Sequence, residues 1–139
     1  MLSVDNVRRA LLASTAYFLI LFALGFVLGT IRVLLVAPRI GELAATAAEL
    51  PIMLTAAWFV CRWIIDRWHV PLDAIFRCAM ALWFLALLSV FEVSLGAILF
   101  DRSPSEQWAV LSTPAGYLGL SAQIIAAALP LWLGRGKSQ

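Results

Sequence analysis

The sequence predicts an all-α membrane protein: a four-transmembrane-helix bundle, N-in/C-in, with a short interfacial helix before the fourth span. Three observations predict it. Of 139 residues, 63% are hydrophobic and 13% are charged, with a mean hydropathy of +0.96; a soluble domain needs a more charged surface than that. Several stretches reach the roughly 20 apolar residues that cross a bilayer. No polar stretch is longer than about a dozen residues, too short for a soluble core. The chain therefore reads as one integral membrane domain over 1–139, with spans at about 10–36, 41–65, 76–100 and 114–133.

The first span rests on the charge-free run Ala10 to Ile31, preceded by Arg8 and Arg9. A secretory signal has an apolar core of only about 7–15 residues, so a retained helix is expected. A turn is expected near Ala37-Pro38-Arg39-Ile40-Gly41. The second span is ambiguous, because Leu50 to Cys61 is too short alone. The preceding Leu-Ala-Ala-Thr-Ala-Ala-Glu is rich in helix formers, which favours a long helix from Gly41 to Ile65, bent at Pro51. The third span, Cys78 to Phe100, contains Glu92. Ser103-Pro104-Ser105-Glu106 matches a capping box, so a short helix carrying Trp108 is expected along the membrane surface. Pro114 suits the first turn of the fourth span, with Thr113 as its cap.

Positive charge sets the expected orientation. Arg8, Arg9, Arg62, Arg67, Arg77, Arg135 and Lys137 fall on one side, and Arg32, Arg39 and Arg102 on the other. The richer side should be cytoplasmic, with both termini there. The expected location is a bacterial-type inner (plasma) membrane. Trp63, Trp68 and Trp132 fall near the inner interface and Trp108 near the outer one, as aromatic belts do.

Other chemistry is poorly supported. The net charge is +2, without a basic patch interleaved with aromatics, so no nucleic acid is expected. Cys61 and Cys78 have no CxxC spacing, and His69 is the single histidine; no metal or other cofactor is expected. Asp66, Arg67 and His69 read as a solvated loop. Cys61 and Cys78 read as ordinary packing thiols, and Trp58 and Trp83 as core residues more readily than as the wall of a ligand pocket.

Four polar residues stand out because they interrupt apolar runs. At a rise of about 1.5 Å per residue, Arg32 lies about 8 Å below the first turn, Glu49 about 12 Å past Gly41, Glu92 about 12 Å before Phe100, and Gln123 about 13 Å after Pro114. All four spans thus bring a polar group to one level in the outer half. Glu42, Thr46, Glu49 and Met53 form one helical stripe, with Glu42 at the mouth. A carboxylate in a bilayer is costly unless paired, protonated or wetted, which makes it a candidate for function. The expected site is Glu49, Glu92, Arg32, Glu42, Gln123 and Thr46, with both acids sharing Arg32. The alternative is a structural ion pair that locks the bundle or an oligomer interface. Gly25 and Gly29 form a small-xxx-small motif expected to pack helices, most simply against the second span.

The leading expectation is a small transporter or channel engaging protons or small cations, working as a homo-oligomer whose pathway lies between protomers. An accessory subunit bound to a membrane-protein partner is second, and a lipid-handling membrane enzyme third. The bilayer itself is the one partner common to all three.

Overall fold

The computed structural model describes residues 3–135. Lys137, counted above for orientation, lies outside them. Among the described residues six α-helices follow in order: α1 Val4–Ile31, α2 Ala37–Ile40, α3 Glu42–Trp68, α4 Ala74–Phe100, α5 Pro104–Leu111 and α6 Pro114–Arg135. There is no strand among the described residues. Four segments are long and apolar enough to cross a membrane: Val4–Ile40, Glu42–Trp68, Ala74–Phe100 and Pro114–Leu133. The protein is thus a membrane-embedded helical bundle.

Local chemistry explains most boundaries. The Ser3 hydroxyl accepts from the Asn6 N–H and caps α1. Between Ser103 and Glu106 both bonds of the capping box are made. Thr113 Oγ1 accepts from Gly116 N–H at 3.0 Å and opens α6. Two helices close on a left-handed residue, α3 at His69 (φ 49°) and α4 at Asp101 (φ 50°).

The first turn differs from expectation. The backbone stays helical through Ala37–Ile40 and reverses at Gly41 alone, where φ is 91°. That angle favours glycine. Between α1 and α2 the helix widens into a π-helical turn over Arg32–Val36, in which Ala37 N–H bonds the Arg32 carbonyl five residues back. Pro38 gives a physical cause. Its ring crowds the carbonyl four residues before it and its nitrogen has no hydrogen to offer, so the preceding turn opens.

The second hairpin differs, but α3 itself runs from Glu42 through Pro51 to Trp68, the longer helix expected for the second span, with Glu49 inside it. Asp66 and Arg67 belong to its last turn rather than to a loop, and His69 is its cap. Arg77 was expected beside that loop; it lies in the first turn of α4 and is buried.

The four long helices stand in a ring. α1 touches α3 and α4, and α6 touches α3 and α4. The pairs α1–α6 and α3–α4 are diagonal. Residues 69–73, which join α3 to α4, therefore cross one end of the bundle. Val70 is buried there and joins the core with Tyr17, Ile64, Phe76 and Met80. The core sits in this His69 end. Trp58 and Trp83 are not core: both are 39% exposed on the outer surface, as suits large apolar rings facing hydrocarbon. Cys61 is buried, Cys78 is exposed, and both are free thiols.

Candidate functional site

The two ends of the bundle are built differently. At the His69 end, side chains bond backbone carbonyls of other helices. Ser14 Oγ donates to the Met80 carbonyl at 2.7 Å. Tyr17 Oη donates to the Ala126 carbonyl at 2.8 Å, across the α1–α6 diagonal. The second bond has a reason in sequence. Residue 130 is a proline, so the carbonyl four residues before it lacks its helical donor, and that carbonyl is Ala126. Arg77 donates to the carbonyls of Pro71 (2.9 Å), Val70 and Pro130 (both 3.3 Å). One guanidinium thus ties the crossing loop to α6.

Above this plug the helices part. A cavity of about 570 Å³ opens toward the Gly41 end, lined by all four long helices. Its floor is shared with the core: Phe18, Leu21, Ala57, Phe84 and Ala126 belong to both. The aromatic floor is tightly arranged, with Tyr17 and Phe84 centroids 4.9 Å apart and Phe18 and Phe91 5.0 Å apart. Higher up the wall is Leu, Phe and Gly, interrupted by Arg32, Thr46, Glu49, Glu92 and Gln123.

Those polar residues were expected to form one layer with a shared arginine. They all face one cavity, but as two separate clusters. On α1 and α3, Arg32 Nε donates to Glu49 Oε2 at 2.6 Å, and Arg32 Nη1 pairs with Glu42 and reaches Thr46 Oγ1 at 3.5 Å. On α4 and α6, the Gln123 amide donates to Glu92 Oε1. Arg32 is paired with Glu42 and Glu49 and not with Glu92. Ring order is the reason: Glu49 and Glu92 stand on α3 and α4, which are diagonal. Glu92 is exposed to solvent-sized space, whereas Glu49 is half-buried behind its arginine.

Gly25 and Gly29 do not form a tight seam between helices. A methyl on Gly25 would meet the Met53 thioether carbon at 3.5 Å, an ordinary contact, and one on Gly29 would meet nothing within 4 Å. Both line the cavity. What the missing side chains provide is volume.

At the same end of the bundle, α5 folds back on the end of α4. Gln107 Nε2 donates to the Val93 carbonyl at 3.2 Å, and its side chain lies over buried Gly96. Trp108 is 73% exposed. At the elbow between α5 and α6, a Cβ on Gly116 would fall 2.4 Å from the Val110 carbonyl oxygen, so glycine is required there.

The acids are carboxylates without a metal-ligating cluster around them: among the described residues no group of three His, Cys, Asp or Glu is placed to hold an ion. The arrangement can bind a proton or a positive charge at Glu92, on a mostly apolar wall opposite the Arg32 cluster. Sequence reading missed Tyr17, Ser14 and Arg77. Pro130 was the available signal for Tyr17, because an orphaned carbonyl inside an apolar helix needs a donor. No protein-family model, curated protein or solved structure matches the chain.

Proposed function

We propose that this is a small membrane transport protein in which protons or cations engage Glu92, with the Arg32–Glu42–Glu49 cluster facing it across the cavity. One observation carries the reading. Glu92 opens on a cavity formed within a single chain, and its hydrogen-bond partner is a neutral amide rather than an arginine. An acid kept accessible inside a membrane bundle is a costly feature that a purely structural role does not need. The floor of packed aromatics favours a transporter over an open channel, because the chamber ends at the core. A pathway between protomers is not needed to create the chamber, although a homo-oligomer is compatible with it.

In this reading both termini lie in the cytoplasm of a bacterial-type cell and the cavity opens outward, following the distribution of arginine and lysine. α5 then lies at the outer interface with Trp108 in the headgroup region. The Arg32 cluster serves as the stable wall and Glu92 as the responsive one.

The test is flux in proteoliposomes under an imposed pH gradient. Wild type is expected to show pH-dependent cation or proton flux, and Glu92→Gln to lose most of it. Glu49→Gln should retain part. Identical flux in both variants and wild type would overturn the proposal, and stable copurification with unrelated membrane chains would favour the accessory-subunit alternative instead.

A further inference from the structure

We infer that the ligand is an organic monocation with an apolar body, its positive centre at Glu92 and its body against the phenylalanine floor. This rests on the transport reading above and names its substrate class.

Size is the first reason. A cavity of about 570 Å³ falls within the roughly 300–1,000 Å³ typical of organic ligands. A bare inorganic cation would leave it almost empty. Coordination is the second. Hard cations take about six oxygens or more; on its own side Glu92 has the Gln123 side chain, and the Glu49 and Thr46 oxygens on the facing wall are taken up by Arg32. Such a wall cannot replace a hydration shell. Charge is the third. Arg32 is already spanned by Glu42 and Glu49, so an anion would find that cation engaged and, opposite, an acid whose partner is the neutral Gln123 amide. A neutral ligand would leave Glu92 uncompensated. The charged groups lining the cavity are Arg32, Glu49 and Glu92, a net of one negative charge, which a monovalent cation matches.

The walls agree with an apolar body. Phe18, Phe22, Phe26 and Phe84 line the cavity, and ring faces attract desolvated organic cations. Gly25, Gly29 and Gly119 leave space beside the rings. The rim includes Leu34, Leu99 and Phe100, each more than half exposed. An amphipathic molecule dissolved in the bilayer can therefore reach the mouth without crossing a polar barrier.

The experiment uses the full chain in nanodiscs of zwitterionic lipid, with tetraphenylphosphonium as probe in equilibrium dialysis. Its near-isosteric anion, tetraphenylborate, and the small cation tetramethylammonium are controls. Wild type is expected to bind tetraphenylphosphonium saturably at one site per cavity, releasing a proton as it does so at a pH where Glu92 is protonated. Glu92→Gln should weaken binding at least tenfold, and Glu92→Asp should keep most of it. Gly29→Leu fills the cavity without touching its charge and should also weaken binding tenfold or more. Tetraphenylborate should show no saturable uptake above empty discs. Uptake of tetraphenylphosphonium equal to that of empty discs, or unchanged by both Glu92→Gln and Gly29→Leu, overturns the inference. If Glu92-dependent flux of protons or small cations persists while tetraphenylphosphonium fails to bind, the substrate class falls and the transport reading stands. If Glu92→Gln alters neither, both fall.

Discussion

Tyr17 and Pro130 are partners although they share no hydrogen bond. The proline removes the donor that Ala126 would otherwise receive, and the tyrosine hydroxyl supplies one at 2.8 Å from the far side of the bundle. Tyr17→Phe should therefore destabilise the protein by about 1–2 kcal/mol, the cost of a buried acceptor left unmade. In a Pro130→Ala background the same change should cost clearly less, because residue 130 then bonds Ala126 itself. Thermal or denaturant unfolding of the four variants in detergent measures the difference. Equal costs in both backgrounds would show that Tyr17 acts by packing alone.

Arg77 is 2% exposed and holds three carbonyls. Arg77→Met leaves those oxygens without their donor, and the expected loss is on the order of 3 kcal/mol. Arg77→Lys should not rescue it, since one ammonium lacks the planar fork that reaches two helices and a loop. Both variants should melt several degrees lower than wild type, and a lysine variant as stable as wild type would contradict the geometry.

Arg32 and Glu49 are joined at 2.6 Å with side-chain exposures of 24% and 18%. A double-mutant cycle with Arg32→Gln and Glu49→Gln should give a coupling of about 1 kcal/mol. The same cycle with Arg32→Gln and Glu92→Gln should give a value near zero, because Glu92 belongs to the other cluster. Strong coupling to Glu92 would restore the single shared layer expected from sequence.

Gly116→Ala places a methyl against two backbone carbonyls, 2.4 and 2.6 Å away, and should cost about 1–3 kcal/mol through forced movement of the elbow. Gly119→Ala, one turn further along, meets nothing within 4 Å and should be neutral or slightly stabilising through helix propensity. Comparing their melting temperatures tests the placement of α5 on α6.

Maleimide labelling probes the thiols. Cys78 is exposed and Cys61 is fully buried, so a membrane-permeant reagent should modify Cys78 in the folded protein and reach Cys61 only after unfolding. Labelling of Cys61 under native conditions would mean that the His69 end is open.

Helix positions were legible in this sequence because a bilayer makes simple demands. A long run without charge must be helical when no water is present to satisfy its backbone. The Ser103 box, the Thr113 cap and the start of α3 before Glu49 followed from short-range chemistry. What sequence could not supply was azimuth. Depth along a helix comes from counting residues, but which helices are neighbours does not. Arg32, Glu49, Glu92 and Gln123 were placed at one level, and the ring order then divided them into two pairs. Arg77 entered the sequence reading only as a positive charge on one side; its burial could not be foreseen because it depends on the loop crossing the bundle, where the Val70 and Pro71 carbonyls accept from it. Gly25 and Gly29 carry a related ambiguity in sequence, since a small residue equally suits a close contact and an empty space.

The bond from Tyr17 to Ala126 is a tie rod across the diagonal of the ring, and its position has a mechanical consequence. Helices pinned at one level can splay above it while the part below stays fixed. Compliance therefore belongs to the Gly41 end, where an ion pair and space separate the helices, and stiffness to the His69 end. Backbone amides should exchange with solvent in the same gradient, slowest around Met80 and Ile64 and fastest beyond Gly29 and Glu92. A guest entering the chamber would widen the lip and leave the base where it is.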